Sequence, residues 1–291
     1  MKKLVSPKQV ARAIGVSEST VKRWCDKGLI PMVKTAGGHR KMDVNAVVQF
    51  LRDSGHEIVE PQVLGLPVAV GKTGWTLNRA VERIVPAIVQ GDESIVRQVV
   101  FDLLLAKHSV TAIFDEVLAP VMHEIGERWS CGDVAVYQER RGCEIVMRVL
   151  NELHDVVDAP PADAPTAIGA TIEGDFYTIP VTMAGIVLRS AGWNATTLGT
   201  NLPFATLQEA LKQTRPRLIW ISTAYVADEP NFVTGLNDLF EAAQSAGTML
   251  AVGGQALDTD LRRELQYTTF CESFADLEAF GRSVDQSGSS T

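Results

Sequence analysis

Ser6-Pro7-Lys8-Gln9-Val10-Ala11-Arg12-Ala13-Ile14-Gly15-Val16-Ser17-Glu18-Ser19-Thr20-Val21-Lys22-Arg23-Trp24-Cys25-Asp26-Lys27-Gly28 is the stretch on which the reading of the chain turns. Ser6 is a capping residue, Pro7 fits the first turn of a helix, and Val10, Ala11 and Ile14 recur on one apolar side. Gly15 ends that helix. Ser17 caps a second one, which runs through Glu18 to Lys27 and closes at Gly28. Val21 and Trp24 stand three apart and are expected to face the first helix. Ser19, Thr20, Lys22, Arg23 and Lys27 remain on the other faces. Two short helices joined by a three-residue turn containing glycine make a helix-turn-helix, and here the second helix is polar and basic outside.

The residues that follow extend the same picture. Lys34-Thr35-Ala36-Gly37-Gly38-His39-Arg40-Lys41 has a glycine pair that permits a tight hairpin, with basic residues at its tip. A third helix begins at Asp43, with Val44, Val47, Val48 and Leu51 as its apolar stripe. Residues 1–55 together resemble the winged helix-turn-helix domain of the MerR family, in which Gly-Gly-His-Arg marks the wing. That resemblance implies that Ser19, Thr20 and Arg23 reach base edges, while Lys22, His39, Arg40 and Lys41 hold the phosphate backbone. His39 has no second ligand nearby, so phosphate contact or wing packing is expected of it rather than a metal. The competing reading is a small solvated three-helix domain that docks a protein.

Charge agrees with the nucleic-acid reading. Of 291 residues, 46% are apolar, and the net charge is -8. Residues 1–56 hold eleven Lys and Arg against four acids, a net of +7, and the remainder carries -15. A basic head on an acidic body is expected to meet a polyanion through the head alone. No run approaches the roughly 20 apolar residues of a membrane span, and Met1-Lys2-Lys3-Leu4-Val5 lacks the apolar core of a secretory signal. Cys25, Cys131, Cys143 and Cys271 are scattered, a spacing that supports no disulfide framework and no Cys-x-x-Cys site. A cytoplasmic protein without membrane contact is expected.

Residues 56–74, with two prolines and several glycines, read as a linker. No heptad run follows, so pairing of chains must come from elsewhere. Residues 75–157 show 3.6-residue apolar spacing in four segments, and an antiparallel four-helix bundle is expected, with Pro120 kinking the third helix. A second linker, 158–165, is rich in Ala and Pro. Over 166–284, short apolar runs alternate with helical stretches, which predicts a doubly wound parallel sheet. Residues 285–291 read as a disordered tail. The fold class is thus multidomain α and α/β. No Gly-x-Gly-x-x-Gly follows the first strand, so a dinucleotide site is not supported.

Bundle followed by sheet, with these loops, resembles the cobalamin-binding module of methionine synthase. The whole chain resembles the cobalamin-binding MerR-type regulators, including the light-responsive ones that control carotenoid genes. In that family the bundle carries Trp, nine residues, then Glu-His as a cap over the corrin. Trp129 and Glu139 match, and Arg140 replaces the His. The sheet domain of the family carries Asp-x-His-x-x-Gly, whose His ligates cobalt, with Ser-x-Leu and Gly-Gly loops lining the pocket for the nucleotide tail. Here Asp175 is kept, Tyr177 stands at the His position and Pro180 at the Gly; Ser222-Thr223-Ala224 keeps the Ser, and Gly253-Gly254 is intact.

The five histidines are His39, His56, His108, His123 and His154, so the sheet domain has none. Imidazole is the usual nitrogen ligand of such metals, and a phenol suits cobalt poorly. No residue is therefore assigned to a metal, and histidine-on cobalamin binding is not expected, although Trp129, Glu139, Asp175, Tyr177, Ser222, Gly253 and Gly254 could still enclose a corrin. The expected function is a sequence-specific transcription regulator on double-stranded promoter DNA. Its body would set a homo-oligomer, dimer or tetramer, or respond to a small-molecule or protein effector. The alternatives are a corrinoid-carrying methyl-transfer component, or a cofactor-free regulator whose body binds a partner protein or another tetrapyrrole. No catalytic constellation is recognisable.

Overall fold

The computed structural model describes residues 4–66 and 77–288, and the chain divides into two compact units, 1–156 and 157–291. Trp75 and the 67–74 part of the expected linker lie outside the described residues, as do residues 289–291.

The first unit opens with the winged domain. Helix α1 (Pro7–Ile14) starts at Ser6, whose side chain and that of Gln9 form a reciprocal capping box, and it ends at Gly15 in the left-handed region. Helix α2 (Glu18–Asp26) is capped by Ser17. Strands β2 (Val33–Lys34) and β3 (Arg40–Asp43) form the wing hairpin, and α3 (Val44–Ser54) follows directly from its cap Asp43. A third strand, β1 (Leu4–Val5), pairs with β3 and gives the order β1-β3-β2. A strand of two residues has no periodicity by which to be read.

Trp24, expected to face α1, sets its ring against α3. Its ring packs on Phe50 of α3 at 4.8 Å and on His56 at 5.0 Å, while Val21 and Cys25 are the buried residues of α2. The helix turns its Val21–Cys25 side inward, and the aromatic pair closes the gap to α3. The expected linker also folds in part: Ile58, Leu64 and Leu66 are buried, the amides of Val59 and Glu60 donate to the Ala13 carbonyl, and Arg12 pairs with Glu60 at 2.8 Å. Apolar anchors among the prolines hold this segment to the head.

The bundle comprises α4 (Leu77–Gln90), α5 (Glu93–Leu105), α6 (Val110–Ile113), a π turn (Phe114–Leu118), α7 (Ala119–Ser130) and α8 (Val136–Val156). Pro120 produces a widened turn here: lacking an N–H, it cannot continue the α ladder, and the Ala119 amide reaches back to Phe114 O. α8 lies close on α4, because buried Gly142 leaves space that Ile88 fills. The winged domain packs on the bundle through α3, which touches α5 and α8, and Arg52 donates to the His108 carbonyl at 3.3 Å.

The second unit is the expected parallel sheet. β4 (Thr166–Ile172), α9 (Thr178–Ser190), β5 (Asn194–Leu202), α10 (Phe204–Thr214), β6 (Leu218–Ser222), α11 (Glu229–Ser245), β7 (Met249–Gly253), α12 (Thr259–Arg262), β8 (Thr269–Cys271) and α13 (Phe274–Gly288) alternate along the chain. The strand order is β5-β4-β6-β7-β8, so direction of winding reverses between β4 and β6. One face is packed by Ile168, Ala170, Ile219, Ile221, Leu236 and Leu239 among others. α13 runs to Gly288, past the expected end of the domain at 284, so residues 285–288 are helical rather than tail.

Candidate functional site

The sequence-predicted residues fall in three places: the head, one end of the bundle and the sheet unit. In the head, α2 presents Ser19, Thr20, Lys22 and Arg23. The Ser17 hydroxyl lies 2.8 Å from those of both Ser19 and Thr20, so these two hydroxyls gather at the helix start. Lys22 is tied to Glu18 at 2.8 Å on the same helix. Arg23 is exposed and has no ion-pair partner among the described residues. It is the free guanidinium of the helix.

The wing tip is built by its own backbone. Thr35 N donates to His39 O at 2.9 Å, Gly38 N to Thr35 O at 2.8 Å, and His39 N to Thr35 Oγ1 at 3.2 Å. Gly38 sits at φ +75°, which a side chain would resist. Lys34 and His39 are exposed on this hairpin, and Lys41 is half-buried. Arg40 is engaged with Asp26 of α2 at 2.7 Å. That pair joins wing to helix, and residues fourteen apart in the chain gave no local pattern from which to read it.

In the body, Trp129 ends α7 and Glu139 lies in the first turn of α8, so both stand at one end of the bundle. Trp129, Val136 and Tyr137 are exposed there. Glu139 accepts from the Cys143 thiol at 3.2 Å, and burial with this carboxylate pushes the thiol pKa up to about 12. In the sheet unit, Asp175, Tyr177, Ser222, Gly253 and Gly254 meet at the carboxyl edge, beside the β4/β6 reversal. Asp175 is fully buried, and its two oxygens accept from Tyr177 N at 2.9 Å, Ala224 N at 2.7 Å and Tyr225 N at 3.3 Å. One carboxylate thus fastens the loop after β4 to the loop after β6. Gly254, at φ +128°, touches the Thr223 backbone so closely that a Cβ would fall 2.2 Å from Thr223 O.

Cobalamin, which the loop pattern implies, can be tested against these residues. Tyr177 presents a half-exposed phenol at the ligand position, and residues 157–291 contain no imidazole. No cluster of three or more His, Cys, Asp or Glu able to hold a metal occurs among the described residues. Beneath the loops, on the face of β4 and β6 turned to α9, the buried Trp220 indole fills the space above Gly169 and Gly185. The residues present do not fit a histidine-ligated cobalamin.

Residues 4–54 match the helix-turn-helix domain model, and residues 80–154 match the B12 binding domain model. The chain is 28% identical over 255 residues to the HTH-type transcriptional repressor CarA of Myxococcus xanthus, covering 84% of each chain. It is also 28% identical over 265 residues to the repressor CarH of the same organism, covering 84% of this chain and 87% of that one. The chain is a helix-turn-helix transcription regulator with a B12-binding-like module. The regulator also shares its fold with the monomethylamine corrinoid protein of Methanosarcina barkeri, with a TM-score of 0.61, 16% identity, and coverage of 72% of this chain and all of that one. The curated relatives that span the regulator from head to body are repressors, not enzymes. No helix among its described residues is long and apolar enough to cross a membrane.

Proposed function

We propose that the regulator binds promoter DNA as a homo-oligomer, with α2 in the major groove and the wing on the flanking backbone. Arg23 reads base edges from the exposed face of α2, with Ser19 and Thr20 near the helix start. Lys34, His39 and Lys41 grip phosphates, while Arg40 holds the wing to α2 through Asp26. The observation that carries this reading is the unpaired Arg23 on the outer face of a helix flanked by a basic hairpin.

The body joins copies of the chain and does so without a histidine-ligated corrin. The exposed aromatics Trp129 and Tyr137 on the bundle, and separately Phe176, Tyr177 and Tyr225 on the sheet unit, support a role in association, since exposed aromatic surface of this kind suits a partner. An effector that changes DNA occupancy must bind one assembly better than another. The methyl-carrier alternative lacks support, because a carrier has no use for the head.

The test is selection of duplexes from a random pool by the full chain, followed by titration of the selected and a scrambled duplex with wild type and Arg23→Ala. Loss of about 1–3 kcal/mol on the selected duplex, with little change on the scrambled one, is expected. Equal loss on both would remove Arg23 from base reading. Failure to enrich any duplex would overturn the DNA assignment itself.

A further inference from the structure

Trp220 is a residue that strand propensity explains too easily. It lies in the middle of β6, opposite Gly169 of β4, and is 2% exposed. Its indole covers Gly169 so closely that a Cβ there would fall 1.8 Å from Cε2. A Cβ on Gly185 of α9 would fall 3.3 Å from Cζ2, and the indole N–H donates to the Val181 carbonyl of α9 at 3.3 Å. One large ring, two glycines that make way for it and one hydrogen bond form a plug between the sheet and α9. The plug sits two residues before Ser222, on the same side of the strand, immediately under the Asp175, Ser222 and Gly253 loops. The opposite side of β4 and β6 is closed by the Ile168, Ala170, Ile219 and Ile221 core.

A ligand seated at the carboxyl edge of this sheet can send an arm downward only where the interior is open. The nucleotide arm of cobalamin is a ribose phosphate with a bicyclic base, and seating it inside the sheet domain needs open space, whereas the Trp220 indole fills the space above Gly169 and Gly185. We infer that Trp220 is a specificity-determining residue that closes the body to corrinoids carrying a nucleotide arm. The loss is then double: Tyr177 removes the metal ligand, and Trp220 removes the room for the arm. Restoring the ligand alone does not restore binding.

This inference rests on the body being a corrin-type module, and the experiment separates the two. Wild type, Tyr177→His, Trp220→Ala and the double variant are incubated with hydroxocobalamin or with cobinamide, the corrin that lacks the nucleotide. Each is gel-filtered and read by corrin absorbance, with circular dichroism reporting folding. Tyr177→His is expected to retain cobinamide but at least tenfold less cobalamin, and the double variant to retain both near one per chain. Equal retention of the two corrins by Tyr177→His overturns the inference without needing any change at Trp220, as does stoichiometric cobalamin on the wild type. A folded double variant that retains neither corrin overturns the inference together with the corrin-module reading. A variant that retains cobinamide but still refuses cobalamin with Trp220 removed overturns the inference alone.

Discussion

At the scale of single residues, environment separates groups that look alike in the sequence. Cys131 is exposed at the α7–α8 connection, whereas burial raises the Cys143 thiol to about 12 and the Cys271 thiol to about 11. A thiol whose pKa is raised stays protonated and unreactive until the pH approaches that value. Maleimide or iodoacetamide near about pH 8 should therefore modify Cys131 first, with Cys143 and Cys271 silent until the chain unfolds, as peptide mass mapping would show. Asp175 is the residue with most at stake. Its substitution by alanine removes the acceptor of three loop amides at a buried position, and a loss of roughly 3 kcal/mol of sheet-domain stability is expected in urea titration. The sequence marked Asp175 from its motif, but nothing in that motif revealed that it fastens two loops. Trp220 was legible only as a strand residue, because its effect depends on glycines fifty-one positions before it and thirty-five before it.

Elements were legible where their signals are local. The caps Ser6, Ser17 and Asp43 and the terminators Gly15 and Gly28 placed the head helices to within a residue or two, and each cap bonds as its chemistry requires. Strands β4, β6 and β7 were visible as apolar runs because both faces of the sheet are covered. What failed was anything set by distant partners. Residues 58–66 looked like linker by their prolines, yet Ile58, Leu64 and Leu66 are core. Pro120 signalled a disturbance, and only the backbone shows that a π turn absorbs it. The α4–α8 contact supplies a prediction of the same kind. A Cβ on Gly142 would fall 2.4 Å from Ile88 Cγ2, so Gly142→Ala should cost roughly 1–3 kcal/mol despite its better helix propensity. Thermal melting would check it, and Ile88→Ala, which removes Cγ2, should cost less in the Gly142→Ala chain than in the wild type. A stabilised Gly142→Ala would mean that helix propensity outweighs the contact.

For the whole molecule, the charge division means that the head and the remainder of the chain respond to salt differently. DNA affinity should fall linearly with the logarithm of salt concentration, with a slope set by the head, and Lys34→Ala should reduce that slope by about 1. Calorimetry on the full chain should resolve two transitions, and Asp175→Ala should lower only that of the sheet unit; a single shared transition would contradict the division into two compact units. The docking of α3 on α5 and α8, with Arg52 on the His108 carbonyl, carries a separate consequence. A head on a loose tether tolerates half-sites at many separations, because its reach is a distribution rather than a distance. A head seated on its bundle has a fixed step. Inserting about 5 bp between half-sites, half a helical turn, should abolish paired binding, and about 10 bp should not restore it fully. The regulator would then measure its operator like a rigid caliper, and the ruler is the helix pair on which the head rests.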